Sequence, residues 1–259
     1  MQRKTPKVIL LASSYVRGLG LAELLKEIGA PDWKSTAPTD SELLVEVAGR
    51  LCYKSFGTDL NPNVTKVREG NKEYIDNILH VGHGSVLEHA SVTFAFMNVS
   101  RVFTHEMVRH RLCAFSQESL RYVRLTDLGA YWPDAFDKLQ DPEINEKFVD
   151  VFQYLEETQK WLSDKLGLDK DDLNFTDKKK LTSAMRRLAP IGLTTNIMVT
   201  TNHRNWRHML EMRTSEAAEE EIQEVMKVVG KELKTFFPNI YQDLDTNYGG
   251  LQKFKHGRV

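Results

Sequence analysis

Cysteine is scarce in this chain: 259 residues contain only Cys52 and Cys113. Two isolated cysteines make neither a disulfide framework nor zinc-finger spacing. Proline is sparse too, at eight residues. No Gly/Ser/Pro-rich linker, low-complexity tract or internal repeat divides the sequence, so a single domain over residues 1–259 is expected. No apolar run approaches the roughly 20 residues of a membrane span. Val8 to Ala12, which follows the basic Arg3, Lys4 and Lys7, is too short for a signal-peptide core. A cytoplasmic protein with no membrane partner is the expectation. Net charge is also missing: 35 Lys+Arg against 36 Asp+Glu leave −1. That excludes a nucleic-acid binder working by blanket phosphate neutralisation. With 41% hydrophobic and 27% charged residues, the chain has the composition of an ordinary globular protein with a real core.

Periodicity predicts the elements. Val8 to Ala12 reads as a buried strand. Leu44, Val47, Ala48 and Leu51 recur at helical spacing, with Ser41 as the expected cap and an end near Cys52. A second helix is expected from about Val64 to Leu79. Val92, Phe94, Phe96 and Asn98 alternate with Thr93, Ala95 and Met97 as a strand does. Ser100 can cap a helix through Arg109. The longest helix is expected over Glu143 to Leu166, and another from Thr176 that stops before Pro190. Leu193 to Thr201 reads as a strand and Asn202 as the cap of a helix to Arg213. A last helix is expected over Glu216 to Phe236. The expected class is α/β: one helix-rich domain around a small mixed or antiparallel sheet, without the regular alternation of a barrel or doubly wound fold.

Histidine and arginine are unevenly spread. His80, His83, His89, His105 and His110 lie in one window and His203 and His208 in another. Between Val99 and Leu125 the chain holds Arg101, Arg109, Arg111, Arg121 and Arg124 against only Glu106 and Glu118. Forked guanidinium donors meet phosphate or carboxylate through paired hydrogen bonds. Here they are interleaved with Phe115, Ser116, Ser119 and Tyr122, which suit a lined pocket. Arg109-His110-Arg111 cannot all face one way on a helix, where neighbours are about 100° apart. Either they contact different parts of one ligand or the helix ends and the chain turns. In the second window Arg204, Arg207, His208 and Glu211 share a helical face, while Arg213 falls on the opposite side.

Three other features compete. Gly18-Leu19-Gly20 after the first strand suggests a dinucleotide fingerprint, but Glu23 is too bulky for its third small position. His80, His83 and His89 suggest zinc, yet no second dense ligand group accompanies them; no metal is expected. Cys113 could be a nucleophile among arginines, though a packed thiol is the plainer reading. The alternatives to an enzyme built on the arginine windows are a nucleotide- or RNA-binding module and a zinc hydrolase.

The stretch R-H-R-L-C-A-F-S-Q-E-S-L-R-Y, from Arg109 to Tyr122, contains R-H-R, seven residues and Ser119. It resembles the signature of the flavin-dependent thymidylate synthases. G-H-G-S-V-L-E-H (Gly82 to His89), M-R-R-L-A-P (Met185 to Pro190) and N-H-R-N-W-R-H-M-L-E-M-R (Asn202 to Arg213) resemble further segments of that family in the same order. The resemblance implies that dUMP becomes dTMP, with methylenetetrahydrofolate giving the carbon and NADPH the reducing equivalents through FAD. It also implies a homotetramer with active sites shared between subunits. Carried over by position, Ser85, Arg109, His110, Arg111, Gln117, Asn202, Arg204 and His208 contact FAD, with His83 and His203 nearby. The implied dUMP site comprises Glu106, Met107, Val108, Arg109, Gln117, Glu118, Ser119, Leu120, Arg121, Arg186 and Arg213, with Arg213 favouring ionisation at uracil N3. The sequence departs from some relatives at Glu106, where glutamine is frequent, at Gln117, where glutamate is, and at Ala114, where serine is. The charged stretch Leu166 to Lys180 reads as a solvated insertion.

Overall fold

A computed structural model describes residues 2–57, 66–124, 129–170, 173–248, 251–257 and 259. Expected residues Val64, Thr65, Leu125, Asp171 and Asp172 lie outside this set. The elements in chain order are β1 (Arg3–Lys4), β2 (Lys7–Ser13), α1 (Gly18–Glu27), α2 (Asp40–Tyr53), α3 (Asn71–His80), β3 (Ser91–Ser100) and α4 (Arg101–Met107). There follow β4 (Ala114–Gln117), β5 (Ala130–Tyr131), α5 (Asp134–Leu139), α6 (Pro142–Lys165), α7 (Phe175–Met185) and β6 (Thr194–Asn202). The chain continues with α8 (His203–Arg213), α9 (Glu220–Phe236), β7 (Leu244–Tyr248) and β8 (Leu251–Phe254). The main sheet runs β2-β3-β6-β4, and β1 pairs with β5 in parallel. Helices around a small sheet agree with the class expected from sequence.

The chain divides into two compact units, Met1–Ile9 with Ala95–Val199 and Leu10–Phe94 with Thr200–Val259. The boundaries fall inside β2, β3 and β6 rather than in linkers.

In the first unit, the alternation of β3 breaks at one residue. Burial alternates through Val92, Phe94 and Phe96, but then Val99 and Ser100 are both buried. Asn98 has φ +57°, the left-handed region that asparagine tolerates better than most residues. Its N–H donates to Asn196 Oδ1 at 2.9 Å. The slip brings Ser100 to the start of α4, where its hydroxyl accepts from Phe103 N. Asp141 caps α6 and Asn174 caps α7, two residues before the expected Thr176.

In the second unit, Thr39 rather than Ser41 caps α2. Thr39 Oγ1 accepts from Glu42 N and donates to Glu42 Oε2 at 2.8 Å, a reciprocal box at helix start. Ser41 lies buried one residue inside the helix. Farther along, Arg50 is buried with Glu46 at 2.7 Å and also donates to the Ser55 and Arg68 carbonyls. The core gathers Phe94, Trp206, Phe237 and Tyr241, all buried, with Phe94 and Trp206 edge to face at 5.1 Å. α9 begins at Glu220, later than expected, because the Glu219 carboxylate accepts the first free N–H groups.

Candidate active site

The first unit presents the signature from a helix end. Val108 N bonds Thr104 O, Arg109 N bonds Glu106 O and His110 N bonds Met107 O, so α4 closes and the chain turns through Arg109-His110-Arg111. Of the two alternatives for these residues, the turn is the one found. Arg109 and Arg111 are exposed and His110 is buried between them. β4 then leads into a second turn, where Ser119 Oγ accepts from Arg121 N (3.3 Å) and Ser119 O accepts from Tyr122 N and Val123 N. Gln117 Nε2 donates to Thr104 Oγ1 at 3.3 Å. Arg186 begins a short 3-10 turn beyond α7 and is exposed.

The arginines divide into two kinds. Arg3, Arg50, Arg124, Arg204 and Arg207 each pair with a carboxylate. Arg109, Arg111, Arg121 and Arg186 form no ion pair among the described residues. Arg101 sharpens the contrast and was not among the expected site residues. It opens α4, is half-buried, donates to Glu118 O at 3.3 Å, and its Nε is buried without a partner. Burial first, and the charge of Arg186 second, hold its guanidinium below the usual arginine range against the opposing charge of Glu118. A half-buried guanidinium with an unsatisfied donor suits an anion. The sequence clue was its place in the arginine-rich window, but helix position alone did not tell which side it faces.

Several expected contacts differ in placement. Met107 is fully buried and Leu120 packs with Leu193 and Ala189, so both side chains belong to the core. A contiguous stretch carried over by position includes residues whose turn of the backbone points them inward. Glu118 directs its carboxylate to Asn196, not outward: Oε1 accepts from Nδ2 at 2.6 Å and Oε2 from the backbone N at 3.1 Å. Glu106 is half-buried and Val108 exposed.

The second unit carries the other group. Gly82, at φ +74°, turns the chain after α3, and His83 N bonds Ile78 O at 3.0 Å. His83 is exposed, stacked on Tyr53 at 5.4 Å and bonded through Nδ1 to the Tyr53 hydroxyl. A 3-10 turn over Gly84–Glu88 follows, with Ser85 exposed. A Cβ on Gly84 would lie 2.9 Å from Arg204 Nε and 2.6 Å from the Val259 backbone, so glycine lets Arg204 lie on this turn. Arg204 pairs there with Glu88 at 2.5 Å.

Asn202 caps α8 as expected, accepting from Asn205 N at 2.8 Å. His208 is exposed, and Arg213, the last residue of α8, is half-buried. Two residues of this segment face the interior instead. His203, expected near the cofactor, is wholly buried, bonded to Tyr241 Oη at 3.1 Å and edge-on to Phe237 at 4.7 Å. Burial, reinforced by Arg207, pushes its imidazole down to about 3. Arg207, expected on the face of Arg204 and His208, is buried against Asp243 at 2.7 Å and beneath Phe254. Among the described residues no group of three or more His, Cys, Asp or Glu is arranged to hold a metal ion. No helix of the described residues is long and apolar enough to cross a membrane.

The turns that carry Arg109, Arg111 and Arg121, and the capped Asn-His-Arg helix, belong to a chain that resembles known proteins over most of its length. The family model described as thymidylate synthase complementing protein matches residues 35–239. A probable flavin-dependent thymidylate synthase of Mycobacterium phage D29 is 38% identical over 233 residues, covering 85% of this chain and 94% of the relative. The flavin-dependent thymidylate synthase of Corynebacterium diphtheriae is 37% identical, with 83% and 84% covered. Among solved structures, thymidylate synthase X of Helicobacter pylori with FAD and dUMP shares the fold at TM-score 0.57 and 17% identity, covering 91% of this chain and 99% of that one. A UMP/dUMP methylase, PolB from Streptomyces cacaoi, does so at TM-score 0.61 and 18% identity, covering 93% and 94%. The chain belongs to the flavin-dependent thymidylate synthase family. It is an enzyme of thymidylate synthesis that depends on a flavin.

Proposed function

We propose that this enzyme converts dUMP to dTMP with methylenetetrahydrofolate as carbon donor and NADPH as reductant, using FAD. The observation that carries this reading is the set of exposed guanidiniums at Arg109, Arg111, Arg121 and Arg186 that form no ion pair among the described residues, together with the buried, unsatisfied Nε of Arg101. Arg101, Arg121, Arg186 and the Ser119 turn hold the doubly charged phosphate of dUMP through charge-assisted bonds. Arg213 lies against the uracil, where a guanidinium stabilises negative charge developing at N3 and its carbonyls.

The donor chemistry also fits FAD. Ser85, Asn202, Arg204, His208, Arg109, His110, Arg111 and Gln117 are the residues that the family resemblance assigns to it, with His83 nearby. Hydroxyl, amide and guanidinium groups suit a pyrophosphate, and the cradle at Gly84 keeps Arg204 on the turn beside Ser85. When bound, FAD supplies the hydride chemistry; the protein's part is to bind, orient and exclude water. His203 and Glu118 stand outside the ligand set because their side chains are engaged internally. Unit boundaries within strands support one functional domain, and the family resemblance supports a homotetramer with shared sites.

The test is dUMP-dependent NADPH oxidation by the FAD-loaded protein with methylenetetrahydrofolate, with dTMP identified as product. Purified protein that remains colourless after incubation with FAD, or NADPH consumption without dTMP, refutes the reading.

A further inference from the structure

The segment Gln117–Arg121 contains one carboxylate, Glu118, among the arginines that the proposed reaction needs free. Three hydrogen bonds join Glu118 to a single residue of β6. Its carboxylate accepts from Asn196 Nδ2 at 2.6 Å and from Asn196 N at 3.1 Å, and its own N–H donates to Asn196 O at 3.0 Å. Asn196 is in turn held by the left-handed Asn98, whose N–H donates to Asn196 Oδ1 at 2.9 Å. The amide of Asn196 is thereby oriented, with its oxygen toward Asn98 and its nitrogen toward Glu118.

The alternative partner for Glu118 is close by. Arg101 Nη2 already touches the Glu118 carbonyl at 3.3 Å. The charge of Glu118 already acts on Arg101 without an ion pair between them, and Arg101 Nε is buried with no partner among the described residues. A glutamate side chain turning about its own Cα could therefore reach the guanidinium. An internal carboxylate so paired would neutralise the charge that must hold the substrate phosphate.

We infer that Asn196 is a positioning residue that holds the Glu118 carboxylate off a direct ion pair with Arg101, leaving the donors of that guanidinium to the anionic group of a nucleoside monophosphate. The pair excludes an internal competitor for that group and holds the start of the Ser119 turn. Asn98 completes the device by fixing which way the Asn196 amide points. This rests on the reading of Arg101 and Arg186 as phosphate ligands.

The experiment measures dUMP binding to FAD-loaded enzyme by calorimetry, alongside steady-state kinetics, for wild type, Arg186→Ala, Asn196→Ala and Asn196→Ala/Glu118→Gln. Asn196→Ala should raise the Kd and KM for dUMP about three- to fivefold, the scale of one competing partly exposed ion pair, with a smaller change in kcat. Adding Glu118→Gln removes the competing charge and should return Kd to within about twofold of wild type. A merely structural role for Asn196 would show no such rescue, so a double variant as weak as Asn196→Ala overturns the inference. An unchanged Kd in Asn196→Ala overturns it as well. If Asn196→Ala loses its fold or flavin, Asn196→Ser carries the same comparison. The underlying reading fails separately, when wild type does not bind dUMP or Arg186→Ala binds it undiminished.

Discussion

Arg207→Ala separates two readings of α8, since helical periodicity groups Arg207 with Arg204 and His208 while the structure buries it. Arg207 Nη1 and Nη2 donate to the two carboxylate oxygens of Asp243 at 2.7 and 2.9 Å. Nη1 also donates to the Ile240 carbonyl at 3.0 Å, and the guanidinium carbon sits 3.8 Å from the Phe254 ring centroid. The two side chains are 2% and 3% exposed. Alanine would strand the Asp243 carboxylate, leaving the His256 N–H at 3.2 Å as its remaining contact in this group. Removing one partner of a buried pair costs about 3–5 kcal/mol, a large share of the roughly 5–15 kcal/mol that stabilises a typical domain. At roughly 2–4 °C per kcal/mol for a chain of this size, the melting temperature should fall by about 6–20 °C.

Arg204→Ala is the control. Its pair with Glu88 is 43% and 47% exposed, so the loss should be about 1 kcal/mol or less. Thermal and urea unfolding followed by far-UV circular dichroism, on flavin-free protein at matched concentration, measures both. Arg207→Met/Asp243→Leu should recover much of the stability, because an apolar pair leaves no stranded charge. The reasoning is refuted if Arg207→Ala is as stable as Arg204→Ala but loses flavin or dUMP binding, for then its guanidinium serves a ligand.

His203 gives a pH dependence. Its imidazole is pushed down from about 6.5 to about 3 by burial, so the folded state holds it neutral while the unfolded chain protonates it. Its contribution is complete above about pH 6.5 and is lost as pH falls toward 3, with a slope up to about 1.4 kcal/mol per pH unit. Stability measured in that window should decline less steeply in His203→Gln, and parallel curves would contradict the assignment. Arg213→Ala should retain FAD, read from the visible flavin spectrum, and lose at least about tenfold in dUMP binding or turnover, as a guanidinium bonded to a developing anion does. Lost flavin with intact dUMP binding would mean that Arg213 belongs to the cofactor.

Sequence pattern reached most of the long elements because their signals are local. Asn202 as the cap of α8, the strand before it and the span of α6 follow from capping chemistry and apolar spacing. The elements it did not reach depend on partners elsewhere. β4 is only four residues long and is a strand only through its neighbour in the sheet. The β7–β8 hairpin, which pairs Leu244 with Phe254, carries a turn signal in Gly249-Gly250, but its strands are too short for a periodic pattern. α1 carries no side-chain cap at its start, although Leu21, Leu24, Leu25 and Ile28 recur at helical spacing and pack into the core.

The site divides along the same line. The order and spacing of Arg109-His110-Arg111, Ser119, Arg121, Arg186 and Arg213 are properties of the chain, and they alone carried the family resemblance. Tertiary structure decided which charges are available. Arg50 and Arg207 are held by buried carboxylates, while Arg109, Arg111, Arg121 and Arg186 meet none among the described residues. Glu118 is turned onto Asn196, and His203 is enclosed by Phe237 and Tyr241. A guanidinium reads the same in sequence whether it is a strut or a ligand. The difference lies in whether folding brings a carboxylate to it, and that depends on residues such as Asp243, whose distance along the chain from Arg207 no local pattern encodes.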